Sequence, residues 1–195
     1  MTYTELVTAL RYRLNDADSG AYSAAELSYC INLAYRETCA ASKCHKISTD
    51  ITLVGGTHSY DTGLFEPIEV SRSGNVLDRV NLGDMGVSLE SWNATASGVP
   101  AKWMQLTGST IRVNPTPSAG ATLTVHGFGV PSADLTGSDT AEAIPTGYAD
   151  TAVLDRAEAE ARRMRVTLAN NASVYAALMQ LWQGWVQEIR SAVKG

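Results

Sequence analysis

The feature that most constrains this chain is a change of hydrophobic period along its length. At both ends apolar residues recur with helical spacing, whereas in the middle they alternate with polar residues. Helical spacing turns one apolar face toward a core, and alternation places every second side chain on one face of a strand. The 195 residues are therefore expected to form an α+β fold, with helices at both ends and strands between them.

Two helical pairs are predicted, one at each end of the chain. Their ranges are about residues 3–15, 24–41, 148–168 and 172–193. The second helix follows a capping-box pattern, in which the side chains of Ser23 and Glu26 each accept a hydrogen bond from the other's backbone N–H. The connections within each pair are short, so we expect an antiparallel helical bundle formed by the N-terminal and C-terminal helices.

The middle of the chain is predicted to be an inserted antiparallel β-sandwich or barrel. The expected elements are a strand at 47–54, a hairpin at 68–77, a short helix at 82–90, a second hairpin at 102–113 and a strand at 122–128. Because strands start after the second helix and helices resume near Pro145, two parts are expected. The helical bundle takes residues 1–46 and 144–195, and the β module takes residues 47–143.

Charge is unevenly distributed along the sequence. The whole chain carries −5, while residues 50–150 hold four basic and eleven acidic side chains, a net −7, and the flanks hold +2. This split indicates either a soluble surface of unequal charge or two surfaces with different partners. A net negative chain is not expected to wrap nucleic acid by neutralising phosphates.

The search for catalytic or metal-binding motifs gives no expected catalytic, cofactor or metal site. The three histidines, His45, His58 and His126, match no ligand spacing, and three cysteines are expected to be free thiols in a reducing compartment. Glu158 and Glu160 lie two apart on a predicted helix, so they are expected on a solvated face rather than as a catalytic pair. No enzyme is expected. No membrane association is expected either, because no apolar run approaches the length of a span and the first residues lack a signal peptide's features.

Two features are candidates for an interface. The first is a basic stretch on the third helix, and the second is a tryptophan in a polar run. The candidate interface residues are Arg156, Arg162, Arg163, Arg165 and Trp92. Acidic residues interleave with the arginines, so an exposed face of internal salt bridges is the alternative to a partner-binding face. For Trp92, the alternatives are an exposed anchor and packing under a loop.

Several short stretches carry a resemblance to a known family. They are residues 3–7, 11–16, 23–27, 31–37, 56–61, 98–103 and 111–117. The most specific of them is the strand–turn–strand phrase that ends in Pro115-Thr116-Pro117. On these residues the chain resembles the head-to-tail adaptor (connector) proteins of tailed phages, related to the tail tubular protein A group of short-tailed phages. It departs from the family where residues 62–67 replace a Leu-Pro step after Asp61.

The resemblance implies a structural virion protein. Such proteins form a ring, commonly of twelve subunits, that binds the portal on one side and a tail nozzle or tube protein on the other. DNA passes through the lumen without sequence-specific binding. The protein would be assembled in the host cytoplasm and sit at the head–tail junction of the virion. A ring needs two different patches on each subunit, and the charge split suggests the basic helix against an acidic β edge of the neighbour.

Two alternatives come from other functional classes. The first is a β-sandwich module that binds a glycan or a protein, with helices as a stalk. Its sign would be exposed aromatic side chains on one β face, for which the candidates are Tyr60, Trp92, Trp103 and Phe128. The second is a small enzyme, which would need a pocket of convergent polar groups.

Overall fold

The structure is a computed structural model that describes residues 1–18, 20–81, 83, 92, 97–118, 120–165 and 171–194. Within these residues it has four helices and eight strands, which confirms the mixed α+β class. The helices are α1 (Tyr3–Arg13), α2 (Ala24–Ser42), α3 (Ala149–Met164) and α4 (Asn171–Lys194). The strands are β1 (Lys46–Thr52), β2 (Ser59–Asp61), β3 (Glu66–Arg72), β4 (Asn75–Val76), β5 (Asp78–Arg79), β6 (Lys102–Thr107), β7 (Thr110–Asn114) and β8 (Thr122–Phe128).

The chain divides into two compact units. The helical unit comprises Met1–His45 and Val130–Gly195, and the β unit comprises Lys46–Gly129. Residues 130–143, which the sequence analysis assigned to the β module, lie in the helical unit. The predicted short helix at 82–90 falls outside the described residues apart from Gly83.

Helix α3 is the central element of the helical unit. It packs against α1, α2 and α4, and its residues from Ala152 to Ala161 are all buried. Four alanines in this stretch keep the helix thin and allow the neighbouring helices to come close. Side chains from all four helices share one hydrophobic core, which includes Leu6, Leu10, Leu27, Ile31, Val153 and Ile189.

The helix starts follow from local side-chain chemistry. The capping box predicted at Ser23 and Glu26 is confirmed, with both reciprocal hydrogen bonds formed. A second capping box at Thr2 and Glu5 starts α1 in the same way. The sequence analysis missed it, although Thr2-x-x-Glu5 has the spacing that signals such a cap.

A buried aspartate organises the connection between α1 and α2. The carboxylate of Asp16 accepts hydrogen bonds from the backbone N–H groups of Ala21, at 2.8 Å, and Tyr22, at 3.1 Å. It also pairs with the Arg11 guanidinium at 2.8 Å. These N–H groups lower the pKa of Asp16, although burial opposes them. The short connection therefore has a defined shape rather than being a simple spacer.

Hydrogen bonds hold the segment 130–143 against α1 and α2. The side-chain amide of Asn32 in α2 accepts a hydrogen bond from the backbone N–H of Leu135 at 2.7 Å and donates one to its carbonyl at 3.4 Å. The backbone N–H of Tyr3 donates to the Asp139 carbonyl at 2.7 Å. These bonds explain why a non-helical segment belongs with the helices.

The β unit contains two four-stranded sheets. One has the order β1-β8-β3-β4 and is antiparallel throughout, and the other has the order β2-β7-β6-β5 with β5 parallel to β6. Both contribute to one core, whose buried residues include Tyr60, Val70, Trp103, Ile111, Leu123 and Val125. The described strands do not close into a barrel, so the barrel alternative is wrong for them.

Both predicted hairpins are confirmed. Strands β3 and β4 are joined by Ser73 and Gly74, both at positive φ, as a tight hairpin turn of the primed type requires. In β8, a Cβ on Gly127 would lie 2.5 Å from the Glu66 carbonyl oxygen and 2.9 Å from the Cα of Pro67. A glycine is therefore needed there, beside the bulge that shifts the register of β3 between Pro67 and Glu69.

Candidate functional site

The first part of the charged stretch on α3 lies inside the helical unit rather than on a solvated face. The charged residues Asp155, Arg156, Glu158 and Glu160 are all buried. With their partners on other helices they form what we call the α3 charge network. The expectation of an exposed face for Glu158 and Glu160 is therefore wrong, because α3 is surrounded by α1, α2 and α4.

The α3 charge network ties α3 to α1, α2 and α4. Asp155 accepts from Arg13 of α1 at 2.5 Å and from the Trp185 indole N–H of α4 at 2.8 Å. Arg156 donates to Glu37 of α2 at 2.6 Å. Since each charged group meets a partner of opposite charge or a donor, the network satisfies the buried charges.

Glu160 is the most enclosed carboxylate of the network, with 1% of the residue exposed. It accepts hydrogen bonds from Arg163, at 2.5 Å, and from Arg156, at 3.2 Å. The Arg163 hydrogen bond lowers the pKa of Glu160 most, burial opposes that effect, and Arg156 lowers it further. Glu160 is therefore held ionised between two guanidinium groups.

The four candidate arginines differ in how far they reach the surface. Arg156 is buried, and Arg162 donates to Glu158 at 2.8 Å and to the Arg13 carbonyl at 3.1 Å. The Arg163 side chain is 56% exposed. Arg165 bonds Glu26 and the Ala21 carbonyl while remaining partly exposed. An interface role for the four arginines stays a prediction, and only Arg163 and Arg165 reach solvent substantially.

Trp92 does not present an exposed anchor. Only 3% of the residue is exposed, and its backbone carbonyl accepts a hydrogen bond from the Asn114 side-chain amide at 2.8 Å. Of the two alternatives left open for Trp92, an exposed anchor and packing within the chain, its burial supports packing. An interface role for Trp92 stays a prediction, without exposure to support it.

Helix α4 carries a partly apolar surface beside the core. Leu181 on it is 56% exposed, whereas Trp185 is partly buried and packs against the core of the helical unit. Together with four further residues they line a cleft of about 560 Å³. We call this the α4 cleft; its lining residues are Ala177, Gln180, Leu181, Gly184, Trp185 and Glu188.

Gly184 leaves open space at the α4 cleft. A Cβ built on it meets no atom within 4 Å. Glycine in a helix interior costs about 1 kcal/mol relative to alanine, and no contact within the helical unit requires it here. A glycine here could serve the close packing of a neighbour or could simply be tolerated. Within the described part of this chain no neighbour occupies the space.

A second apolar cleft, of about 720 Å³, lies along α1. Its lining includes Met1, Ala9, Tyr12 and Leu154. Tyr12 is 85% exposed, which makes it the most exposed large hydrophobic side chain among the described residues. The α1 surface and the α4 cleft are thus two different apolar patches on the same helical unit.

A third cleft, also about 560 Å³, is more polar. It is lined by Tyr35, His45 and residues of the segment 130–143, among them Asp134, Asp139 and Glu142. The Asp134 carboxylate pairs with Arg36 at 2.7 Å, and burial lowers the pKa of His45. Among the described residues no group of three or more His, Cys, Asp or Glu is arranged to hold a metal ion. No described helix is long and apolar enough to cross a membrane.

Comparison with known families decides the class of the protein. A family model described as SU10 adaptor protein matches residues 1–192, nearly the whole chain. The chain belongs to the SU10 adaptor protein family. A search of curated proteins finds no match. Family membership confirms the resemblance to phage adaptors, so the protein is a structural phage adaptor and a virion component of the head–tail junction.

The structure changes the charge argument for this SU10 adaptor family member. The β unit holds seven acidic and five basic residues, a net −2, and the helical unit holds thirteen acidic and ten basic ones, a net −3. The β unit is therefore acidic as expected, but the split of −7 against +2 is not found between the two units. Four acidic residues near the end of the 50–150 window belong to the helical unit: Asp134, Asp139, Glu142 and Asp150.

The described residues of this family member also lack the exposed aromatic side chains expected of a glycan-binding β face. Tyr60, Trp92 and Trp103 are buried, and Phe128 is only partly exposed. Within the described β unit, these four aromatics do not form an exposed binding face. The exposed apolar surfaces described above lie on helices instead.

Proposed function

We propose that this adaptor forms a ring that joins the portal to the tail and lets DNA pass through its lumen. The observation that carries the proposal is the adaptor-family match over residues 1–192. In this proposal the ring has twelve subunits, its tail partner is a nozzle or tube protein, and the four helices are arranged as an antiparallel bundle. The relationship to the tail tubular protein A group belongs to the same proposal.

The protein works by fitting against other proteins rather than by catalysis. Its net charge of −5 is compatible with DNA passing through the lumen without being bound, because like charge repels the phosphates. The buried salt bridges of the α3 charge network support a rigid structural role for the helical unit. No sequence-specific DNA contact is part of the proposal.

Ring closure requires two different patches on each subunit. The α4 cleft is one such patch, and the α1 surface around Tyr12 is the other. In this arrangement the exposed Tyr12 of one copy packs over Gly184 of the next, where the missing Cβ leaves room for a ring. The hypothesis of a basic helix against an acidic β edge stays a prediction, and the net charge of −2 on the β unit supports it less than the −7 counted over residues 50–150.

The experiment mixes the purified adaptor with its portal protein and counts assembled rings by electron microscopy. Gly184→Arg fills the α4 cleft and should abolish ring assembly on the portal. Gly184→Ala, which adds only the Cβ to this space, should weaken ring assembly less than Gly184→Arg does. Gln183→Arg, which adds the same charge at an exposed position outside the cleft, should preserve it. Tyr12→Ser should also abolish it, while the fold of each variant is checked by circular dichroism.

The outcomes separate the function from the interface. Failure of the wild-type protein to bind the portal would overturn the proposed function. Normal rings from Gly184→Arg or Tyr12→Ser would leave the function standing and show that copies meet through other surfaces.

A further inference from the structure

Strand β1 forms a long edge of the all-antiparallel sheet. In the order β1-β8-β3-β4 it lies at the end and pairs with β8 over all seven of its residues. The pairing has no bulge, and the strand contains no proline. The other edge strands, β2, β4 and β5, have only two or three residues each. An edge of this length without a bulge or a proline is suited to pairing with a further strand.

Alternate backbone groups of β1 point away from β8. The Leu53 N–H donates to the Ala121 carbonyl at 2.8 Å, in register with the β1–β8 ladder. Bonded and non-bonded residues alternate in an antiparallel pair, so Ile51 and every second residue before it bond β8. The residues whose N–H and C=O groups point outward are Lys46, Ser48, Asp50 and Thr52, and all four are exposed. Among the described residues none forms a hydrogen bond with these outward backbone groups.

The residue types of β1 are arranged almost symmetrically about Thr49. An isoleucine lies two positions away on each side, as Ile47 and Ile51. Both isoleucines pack against the core of the β unit, so they share the inner face with Thr49. On the outer face, the Asp50 carboxylate accepts a hydrogen bond from the Thr124 hydroxyl at 2.8 Å. The strand therefore presents a similar surface in both directions, as two-fold pairing requires.

We propose that two copies of this chain pair through β1, antiparallel and centred on Thr49. Ile47 of each copy then lies opposite Ile51 of the other, so the apolar inner face continues across the contact. Ser48 lies opposite Asp50, and their outward backbone groups complete a new ladder. The two four-stranded sheets become one continuous sheet.

Charge and length favour this register over its neighbours. With Thr49 at the centre, Lys46 of one copy lies diagonal to Asp50 of the other, an attractive pair of opposite charges. Centring on Asp50 would place two like charges directly opposite each other, which is unfavourable. Centring on Ser48 would place Ile51 opposite His45, beyond the end of the strand. The chosen register is the one that pairs the full length of β1.

This contact is distinct from the proposed ring contact. It is two-fold and closes on two copies, whereas a ring needs two different patches. It does not depend on the proposed function. A contact of one strand is small, so the dimer is expected to be weak and to form with increasing protein concentration.

A cysteine at the centre of the contact gives the most direct test. In full-length protein carrying Cys44→Ser, which removes the partly exposed thiol, Thr49→Cys should form a disulfide-linked dimer under mild oxidation. The two copies of residue 49 would face each other about 4.5 Å apart between Cα atoms, within the span of a disulfide. Asp50→Cys is the control, because its two copies would lie on a diagonal, about 7–8 Å apart, and should crosslink much less.

Sedimentation velocity over a concentration series provides a second test. The average mass of the wild-type protein should rise toward that of two chains. Ser48→Pro removes an outward N–H that β8 does not use, so the variant should keep the mass of one chain. Ser59→Pro is the matched control at an outward position of β2 and should pair like the wild type. Circular dichroism checks the fold of both variants.

Three results would overturn the proposal. They are a wild-type mass of one chain at every concentration, stronger crosslinking of Asp50→Cys than of Thr49→Cys, and a dimer that persists in folded Ser48→Pro. Gly184→Arg should leave the pairing unchanged, because its change lies on α4. Loss of the dimer in that variant would assign the contact to the ring patches and would overturn the proposal as well.

Discussion

At the scale of single residues, the molecule depends on charged and polar groups that are buried with their partners. Glu160 lies between Arg156 and Arg163. Asp16 accepts hydrogen bonds from two backbone N–H groups and forms an ion pair with Arg11. Sequence analysis identified the residues of the α3 stretch but not their burial. Interleaved charges are compatible both with an exposed salt-bridged face and with a buried charge network. Only the packing of three helices around α3 distinguishes these two arrangements.

Replacing Glu160 by glutamine should destabilise the helical unit by about 1–3 kcal/mol near neutral pH, because Arg156 loses a buried charged acceptor. The pKa of Glu160 is lowered by folding, so its contribution is present above its ordinary pKa of 4.5 and is lost as pH falls through the folded value. The deficit of the variant should therefore shrink in acid. Urea denaturation at neutral and acidic pH measures this.

The control for that experiment is Glu188→Gln, at an exposed position of α4. It should change stability little at either pH. An equal loss of stability in both variants, or a deficit for Glu160→Gln that does not change with pH, would contradict the account of the α3 charge network.

The reactivity of Cys44 offers a second prediction at this scale. Its alkylation rate by iodoacetamide should rise with the thiolate fraction and reach half its maximum near pH 7, because the neighbouring side chains of Cys39 and Ser42 lower its pKa to about 7. The titratable neighbour Tyr35 keeps its proton in this range, since burial raises its pKa. Cys39→Ala should move the midpoint toward the ordinary value of 9.0. An unchanged midpoint would show that Cys39 is not the cause.

At the scale of elements, local sequence signals were sufficient for most helices and strands. The bounds of β8 match the predicted 122–128, and the capping box at Ser23 and Glu26 starts α2 as expected. The short strand β2 and the parallel strand β5 were missed, because strands of two or three residues carry too little alternation to be recognised. Helical periodicity predicted α4 at about residues 172–193 but could not show that Leu181 faces outward.

Gly184→Ala should raise the free energy of unfolding by about 1 kcal/mol, because alanine favours the helix and the added methyl group meets open space. Thermal or urea denaturation of the isolated protein checks this. The reverse change at a matched site, Ala177→Gly, lies on the same exposed cleft and should lower stability by a similar amount. A loss of stability in Gly184→Ala would mean that the space is filled within the chain.

At the scale of the whole molecule, the α+β class and the adaptor resemblance could be predicted, but the charge distribution could not. The resemblance was recognisable because several short family-like stretches follow one another along the chain, among them the one that ends in Pro115-Thr116-Pro117. The segment 130–143 has neither helical nor strand periodicity, so its acidic residues were counted with the strands. Hydrogen bonds from Asn32 and Tyr3 assign it to the helical unit, and the apparent charge asymmetry disappears.

The central claim is that this adaptor works as a ring between portal and tail. Electron microscopy of the adaptor mixed with its portal protein tests that claim most directly. The account predicts a continuous twelve-subunit ring on one face of the portal, with an open lumen in line with the portal channel. Adaptor molecules that remain unbound, or that attach singly without contacting one another, would contradict it.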